Sequence, residues 1–138
     1  LKQITYLIKY NEIQIRVRYG ETDQMGVVYH GNYSNYFEVG RLEWLRSLNI
    51  SYKKMESEGV LLPVVSLAIK YKKPVYYDDL IIIQTELVKL PTASIDFSYK
   101  LMNQQREILA TASTTLAFIN KIKNKPMRCP QYIIDALS

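Results

Sequence analysis

From Glu12 to Tyr19 apolar and polar side chains alternate without a break. Ile13, Ile15, Val17 and Tyr19 fall on one side and Glu12, Gln14, Arg16 and Arg18 on the other, the period of a strand with one face in a core. Three glycines then interrupt regular structure, Gly20, Gly26 and Gly31, within the segment GETDQMGVVYHGNYSNY. Beyond it the apolar period lengthens: Tyr36, Phe37, Gly40, Trp44, Leu45 and Leu48 recur at helical spacing. Asn35, with Glu38 three residues on, predicts the start of that helix as a capping box, and Asn32 is an alternative cap. A second short helix is expected over Ser51 to Glu58, closed by Gly59.

Period two then governs most of the remaining chain. Val65, Leu67, Ile69 and Tyr71 share one face of a strand, and Pro74 with Asp78 and Asp79 marks the turn into LIIIQTELVKL, which Pro91 ends. Ile95, Phe97, Tyr99 and Leu101 alternate with Ser94, Asp96, Ser98 and Lys100. A polar hairpin from Asn103 to Glu107 leads to a last strand with Ile108, Ala110, Ala112, Leu116 and Phe118 on its apolar side. Strand, long helix and four hairpin-connected strands make an α+β pattern with an antiparallel sheet. One helix on one sheet face is a thin core, so the sheet is expected to curl around the helix and the molecule to associate with copies of itself.

Composition narrows the class. The 138 residues, 48% apolar, suit one domain spanning 1–138. No run approaches the ~20 apolar residues that span a bilayer, and the N-terminus lacks the charged, apolar and small-residue segments of a secretory leader, so a cytoplasmic location is expected. A single cysteine, Cys129, excludes an intramolecular disulfide framework, and with one histidine leaves little for a zinc site; neither metal nor cofactor is expected. The net charge of +5, concentrated at Lys70, Lys72 and Lys73 and from Lys121 to Arg128, favours polyanionic partners. The twelve tyrosines are scattered and form no base-stacking motif, so a phosphate-bearing small molecule is favoured over nucleic acid.

Candidate chemistry gathers in the glycine-interrupted connection, where rigid elements on both sides position an irregular backbone. It contains Asp23 and the only histidine, His30. From residue type alone Asp23 reads as a turn carboxylate or as a reacting group, and His30 as a polar helix-terminal residue or as a participant.

The segment YGETDQMGVVYHGNYSNYFEVGRLEWL resembles the acid-rich turn and central helix of the 4-hydroxybenzoyl-CoA thioesterase family, in particular its bacterial acyl-CoA thioesterases associated with the Tol-Pal system; PVVSLAIKYKKPVYYDDLIIIQTEL resembles the family's following strands. The resemblance implies a hotdog fold, a five-stranded antiparallel sheet wrapped around one long helix, assembled as a homodimer or homotetramer. It implies hydrolysis of an acyl-CoA or acyl carrier protein thioester, with coenzyme A entering as part of the substrate. Asp23 takes the place of the family's catalytic carboxylate, and the backbone N–H of His30 that of the group polarising the carbonyl. Gly26 then lets the backbone turn and Tyr29 shapes the pocket. Glu38, Arg41 and Glu43 read as an ion-pair and hydrogen-bond network on the helix. Where the family prototype has a basic cluster after its third strand, this chain has Pro91, Thr92, Ala93 and Ser94. Phosphate contacts are therefore sought among Lys70, Lys72, Lys89 and Arg128 and at the backbone of Thr92 to Ser94. A non-catalytic acyl-binding or interaction module on the same scaffold is the competing function.

Overall fold

The computed structural model describes residues 10–138. The expectation about a secretory leader bears on residues 1–9 and lies outside the described residues. In chain order the elements are β1 (Tyr10–Arg16), α1 (Tyr33–Ser47), α2 (Tyr52–Ser57), β2 (Val60–Leu61), β3 (Val64–Tyr71), β4 (Leu80–Leu87), β5 (Ser94–Met102), β6 (Ile108–Ala117), β7 (Ile119–Asn120), β8 (Lys125–Pro126) and α3 (Gln131–Ala136). Five strands form one antiparallel sheet in the order β1-β4-β5-β6-β3, and β2, β7 and β8 form a small second one.

The period-two readings of β4 and β5 hold because both strands are central in the sheet. Ile81, Ile83, Leu87, Ile95, Phe97 and Leu101 turn one face into the core, where the rings of Phe37 and Trp44 on α1 meet Tyr99 and Phe97 at centroid distances of 4.9 Å each. α1 approaches β4 closely at Gly40. A Cβ there would stand 2.6 Å from Thr85 Oγ1 and 2.9 Å from Ile83 Cγ2, so no larger residue fits without separating helix and sheet.

Two expectations need correction, the end of β1 and the choice of Asn35 over the alternative cap Asn32. β1 ends at Arg16 rather than Tyr19: Glu21 captures the Arg18 N–H through its carboxylate at 2.8 Å, the chain winds into a 3-10 turn over Tyr19–Glu21, and Tyr19 is left 76% exposed. α1 starts at Tyr33 with Asn32 in the cap position, not at Asn35. A 3-10 turn over His30–Asn32 runs directly into it, so Asn32 is itself in helical conformation (φ −82°, ψ −16°) and its side chain does not cap α1. The shared face of β3 leaves Val65 (59% exposed), Leu67 and Tyr71 outside the core of this chain, with Ile69 packed against it, because β3 pairs with β6 and among the described residues forms an edge of the sheet. The short helix α2 matches its expectation, with the Ser51 hydroxyl accepting from the Lys54 N–H at 3.3 Å and Gly59 following at φ +92°.

Candidate functional site

The connection between β1 and α1 is fixed by pairing on both flanks. Val28 donates its N–H to Val75 O at 2.7 Å, Val27 bridges Tyr76, and Val17 donates to Asp79 O at 2.9 Å, so the connection leans on the turn before β4. Buried Val28 and Val75 anchor that contact. Asp79 Oδ2 accepts the Tyr76 N–H at 2.9 Å and holds the supporting turn closed.

Asp23 opens a tight loop within this frame. Its N–H donates to Val27 O at 2.8 Å and its carbonyl accepts from the Gly26 N–H at 3.0 Å. Gly26 takes φ +79°, a left-handed conformation that favours glycine. Oδ1 of Asp23 accepts the Met25 N–H at 2.8 Å and, at 3.4 Å, that of Val27. The side chain thus caps its own loop through one oxygen, while Oδ2 has no partner among the described residues and the residue is solvent-exposed.

Seven residues on, His30 begins the 3-10 turn that becomes α1. Its N–H has no acceptor among the described residues, as befits the first donors of a helical segment. Its carbonyl accepts the Tyr71 hydroxyl at 3.4 Å, and its ring meets that of Tyr71 edge-on at 4.7 Å. Tyr29 lies over Gly31, where a Cβ would come within 2.8 Å of the Tyr29 ring, so the glycine permits this ring position. A cleft of about 280 Å³ opens beside these groups, lined among others by Val27, His30, Tyr33, Tyr71, Lys72 and Pro74.

Volume alone would point elsewhere. A larger concavity of about 450 Å³ lies between the turn before β4 and the β5–β6 hairpin, but its Lys73 is engaged in an ion pair with Glu107. The cleft at His30 is smaller and shares Lys73 and Pro74 with it; its lining includes His30, which carries the unpaired helix-start N–H, and Lys72, while Asp23 lies on the neighbouring turn outside that lining.

The other residues singled out in the sequence are distributed as follows. Lys72 follows the end of β3 and lines the cleft, whereas Lys70 alternates with Tyr71 and projects from the opposite side of the strand. Lys89, Thr92 and Ser94 occupy the β4–β5 connection at the other end of the sheet. Ser94 pairs with Ala117, while Leu101 pairs with Ala110, the partner of Tyr71, so the two ends are separated by roughly 23 Å of strand. Lys89 is paired there with Asp96 at 3.4 Å, and Arg128 lies near the same end, where the Cys129 N–H donates to Thr92 O. The expected network on α1 is differently arranged. Glu43 pairs with Arg46 and the Arg41 guanidinium lies beside the Tyr99 hydroxyl, while Glu38 and Arg41 line a separate cavity of about 210 Å³ with Leu45, Tyr52 and Phe97.

Sequence reasoning passed over Glu21. Its Oε1 accepts from the Arg18 N–H and from the hydroxyl of buried Tyr36 at 2.9 Å, and its backbone carbonyl accepts from Tyr29 N–H at 3.0 Å and Asn32 Nδ2 at 2.8 Å. Burial by itself would raise the pKa of this carboxyl. The hydrogen bonds from the Arg18 N–H, the Tyr36 hydroxyl and the Arg18 guanidinium, with the charge of that guanidinium, outweigh it and bring the group below the ordinary carboxylate value. The signal that could have found it was Tyr36, a tyrosine on the buried face of a predicted helix, whose hydroxyl needs a partner. Among the described residues no group of His, Cys, Asp and Glu is arranged to hold a metal ion, and no helix is long and apolar enough to cross a membrane.

Residues 17–137 match the family model described as the thioesterase-like superfamily. The acyl-CoA thioesterase YbgC of Haemophilus influenzae is 37% identical over 120 residues, covering 86% of this chain and 88% of that protein. The acyl-CoA thioester hydrolase YbgC of Escherichia coli is 32% identical over 120 residues, 87% of this chain and 90% of its own. Among solved structures, a DHNA-CoA thioesterase from Staphylococcus aureus superimposes with a TM-score of 0.85 at 38% identity, covering 91% of this chain and 85% of that one.

Proposed function

We infer that this chain, which belongs to the thioesterase-like superfamily and has its hotdog fold, hydrolyses the thioester of an acyl-CoA or acyl carrier protein substrate to a free acid and a thiol. The observation that carries this reading is that one short connection holds both Asp23, with one carboxylate oxygen committed to its loop and the other without a partner among the described residues, and His30, whose N–H at the start of the turn into α1 has no acceptor among them. Acyl-CoA thioesterases among the relatives support it.

In this mechanism the thioester carbonyl oxygen meets the His30 N–H, where the positive end of the helix stabilises the negative charge that develops on it. Asp23 Oδ2 either attacks the carbonyl carbon or takes a proton from the attacking water. The C–S bond breaks and the thiolate leaves; in the first case water then cleaves the mixed anhydride on Asp23 to the free acid, and in both the proton released from water ends on the thiolate. Such a carboxylate suffices because a thiol of pKa roughly 8.5 departs readily, so neither a serine nor a cysteine triad is needed. The imidazole of His30, held edge-on to Tyr71, orients the turn that presents the N–H. Gly26 and Tyr29 give the loop and the cleft their form. Lys72 offers a cation beside the thioester, Lys70 projects from the other side of β3, and Lys89, Thr92 and Ser94 would meet the same substrate only at the far end of its pantetheine arm or from a second copy.

We further place the chain with the 4-hydroxybenzoyl-CoA thioesterase family and its Tol-Pal-associated members, as a single cytoplasmic domain over residues 1–138 that uses no cofactor. A homodimer or homotetramer fits the apolar side chains left exposed along the β3 edge. A stable monomer by light scattering contradicts this assembly.

Thiol release measured across short, long and aromatic acyl-CoAs and acyl carrier protein substrates tests the activity. Asp23→Asn keeps an Oδ1 for the Met25 and Val27 amides, so the loop should survive while turnover falls at least ~10²-fold. Turnover retained in the variant removes Asp23 from the mechanism. Hydrolysis of no thioester by the wild type favours the non-catalytic acyl-binding module.

A further inference from the structure

Glu21 contacts Arg18, Tyr29, Asn32 and Tyr36, which lie on successive parts of the connection and on α1. Its Oε1 takes the Arg18 N–H where β1 has ended and the Tyr36 hydroxyl from the first turn of α1. Its Oε2 takes Nε and Nη2 of Arg18, both at 3.2 Å. Its carbonyl takes the N–H of Tyr29, immediately before His30, and the side-chain amide of Asn32, the residue before α1. Two residues further along the chain stands Asp23. The loop carrying the carboxylate and the helix start carrying the free N–H are therefore both referenced to one side chain and its own backbone.

The chemistry of these contacts is more than a turn requires. Capping the 3-10 turn needs only the Arg18 N–H. The bond to Tyr36 reaches into the helix, and Tyr36 is 2% exposed, so its hydroxyl has no water to turn to if Glu21 is lost. Asn32 likewise donates its side-chain Nδ2 to Glu21 O. Both choices favour a fixed distance between the loop and the helix start.

We propose that Glu21, acting through the Tyr36 hydroxyl, is the positioning residue that fixes the Asp23 carboxylate relative to the His30 N–H. The role rests on the thioesterase reading, since it sets the geometry of that reaction. Glu21 touches no substrate. Misplacement of reacting groups by about 1 Å can cost on the order of 10²-fold in rate, which is the scale on which such a residue acts.

The test compares Glu21→Ala, Glu21→Gln and Tyr36→Phe in the full-length chain. Glutamine retains an Oε1 for the Arg18 N–H and the Tyr36 hydroxyl and loses only the ionic contact with the exposed Arg18 guanidinium. Expected are a fall in kcat of about 10- to 100-fold in Glu21→Ala with KM within about 2-fold, a fall of about 10-fold in Tyr36→Phe, and recovery in Glu21→Gln to within about 3-fold of wild type. A kcat loss that only follows the unfolded fraction at the assay temperature, or a Glu21→Gln as poor as Glu21→Ala, overturns the proposal.

Amide exchange gives a readout that does not depend on turnover. In Glu21→Ala the amides of Met25 and Tyr29 should exchange at least ~10-fold faster while those of β4 and β5 keep their rates. Unchanged exchange at Met25 and Tyr29 overturns the proposal by itself. Should the wild type hydrolyse no thioester, the thioesterase reading fails alone, and the exchange rates still decide whether Glu21 holds the loop to the helix start.

Discussion

The two ends of the sheet are built on different terms. At one end the backbone pairing of the β1–α1 connection is supplemented by side chains bonding to backbone: Asp23 to the Met25 amide, Glu21 to the Arg18 amide, and Asn32 to the Glu21 carbonyl. At the other end the β4–β5 connection is held by backbone alone. Thr92 N–H donates to Ser94 O, Cys129 N–H to Thr92 O and Phe118 N–H to Ala93 O, with the Lys89–Asp96 pair outside them. Backbone pairing uses up donors and acceptors together, whereas side-chain capping can leave chosen backbone groups unspent. The His30 N–H at the first end has no acceptor among the described residues because it opens a helical segment, while the N–H groups of Tyr29 and Asn32 are paired with the carbonyls of Glu21 and Tyr29. Irregular backbone is thus available at both ends, and the first carries both an N–H without an acceptor among the described residues, on His30, and a carboxylate oxygen without a partner among them, on Asp23.

The sharpest way to break this comparison is to apply similar strain to each connection. Gly26→Ala places a Cβ at φ +79°, at a cost of about 1–2 kcal/mol. Ala93→Gly in the other connection loosens the backbone by roughly 0.5–1 kcal/mol without touching a hydrogen bond. Both variants should melt a few degrees below wild type. Gly26→Ala should also lose about 10-fold in kcat, because the loop that aims Asp23 opens, while Ala93→Gly keeps its kcat. Equal kcat in the two variants at matched stability would mean that the loop geometry around Asp23 does not matter, and the distinction between the ends would disappear.

What the sequence discloses divides along the same line. β4 and β5 were legible because they are central, so each alternating side chain has only a core side and an outer side to choose between. α1 was legible from Phe37, Gly40 and Trp44 for the same reason. The end of β1 was misread because alternation continues through Tyr19 although the ladder does not; a contact three residues along, Glu21 to the Arg18 amide, ends the strand and leaves no mark on the period. The shared face of β3 was legible, but apolar alternation reports a surface to be covered and not what covers it. Asp23 could be placed in a turn from its neighbours Gly20 and Gly26, and its chemical role came from the resemblance. Glu21 was missed because its value lies in a bond to Tyr36 fifteen residues away, and no local pattern records such a partner.

The smallest expected effect concerns which end of the sheet grips the substrate's phosphates. Lys72 lines the cleft with His30 and has no carboxylate partner among the described residues, whereas the Lys89 ammonium is already 3.4 Å from Asp96. An exposed cation meeting an anion contributes about 0.2–1 kcal/mol, so Lys72→Ala should raise KM by up to about 5-fold with kcat unchanged. Removing Lys89 forfeits a contact partly spent on Asp96, and its KM should move less than about 2-fold. The Lys72 effect should also shrink as salt is raised from low to physiological concentration, since an exposed charge pair is screened over about 10 Å at 0.1 M. Steady-state kinetics of both variants at two salt concentrations separates the cases. A KM change confined to Lys89→Ala would put the phosphates a strand's length from the reacting carbonyl, with the pantetheine arm spanning the interval. The β4–β5 connection, plain as its hydrogen bonding is, would then belong to the site as its distant grip.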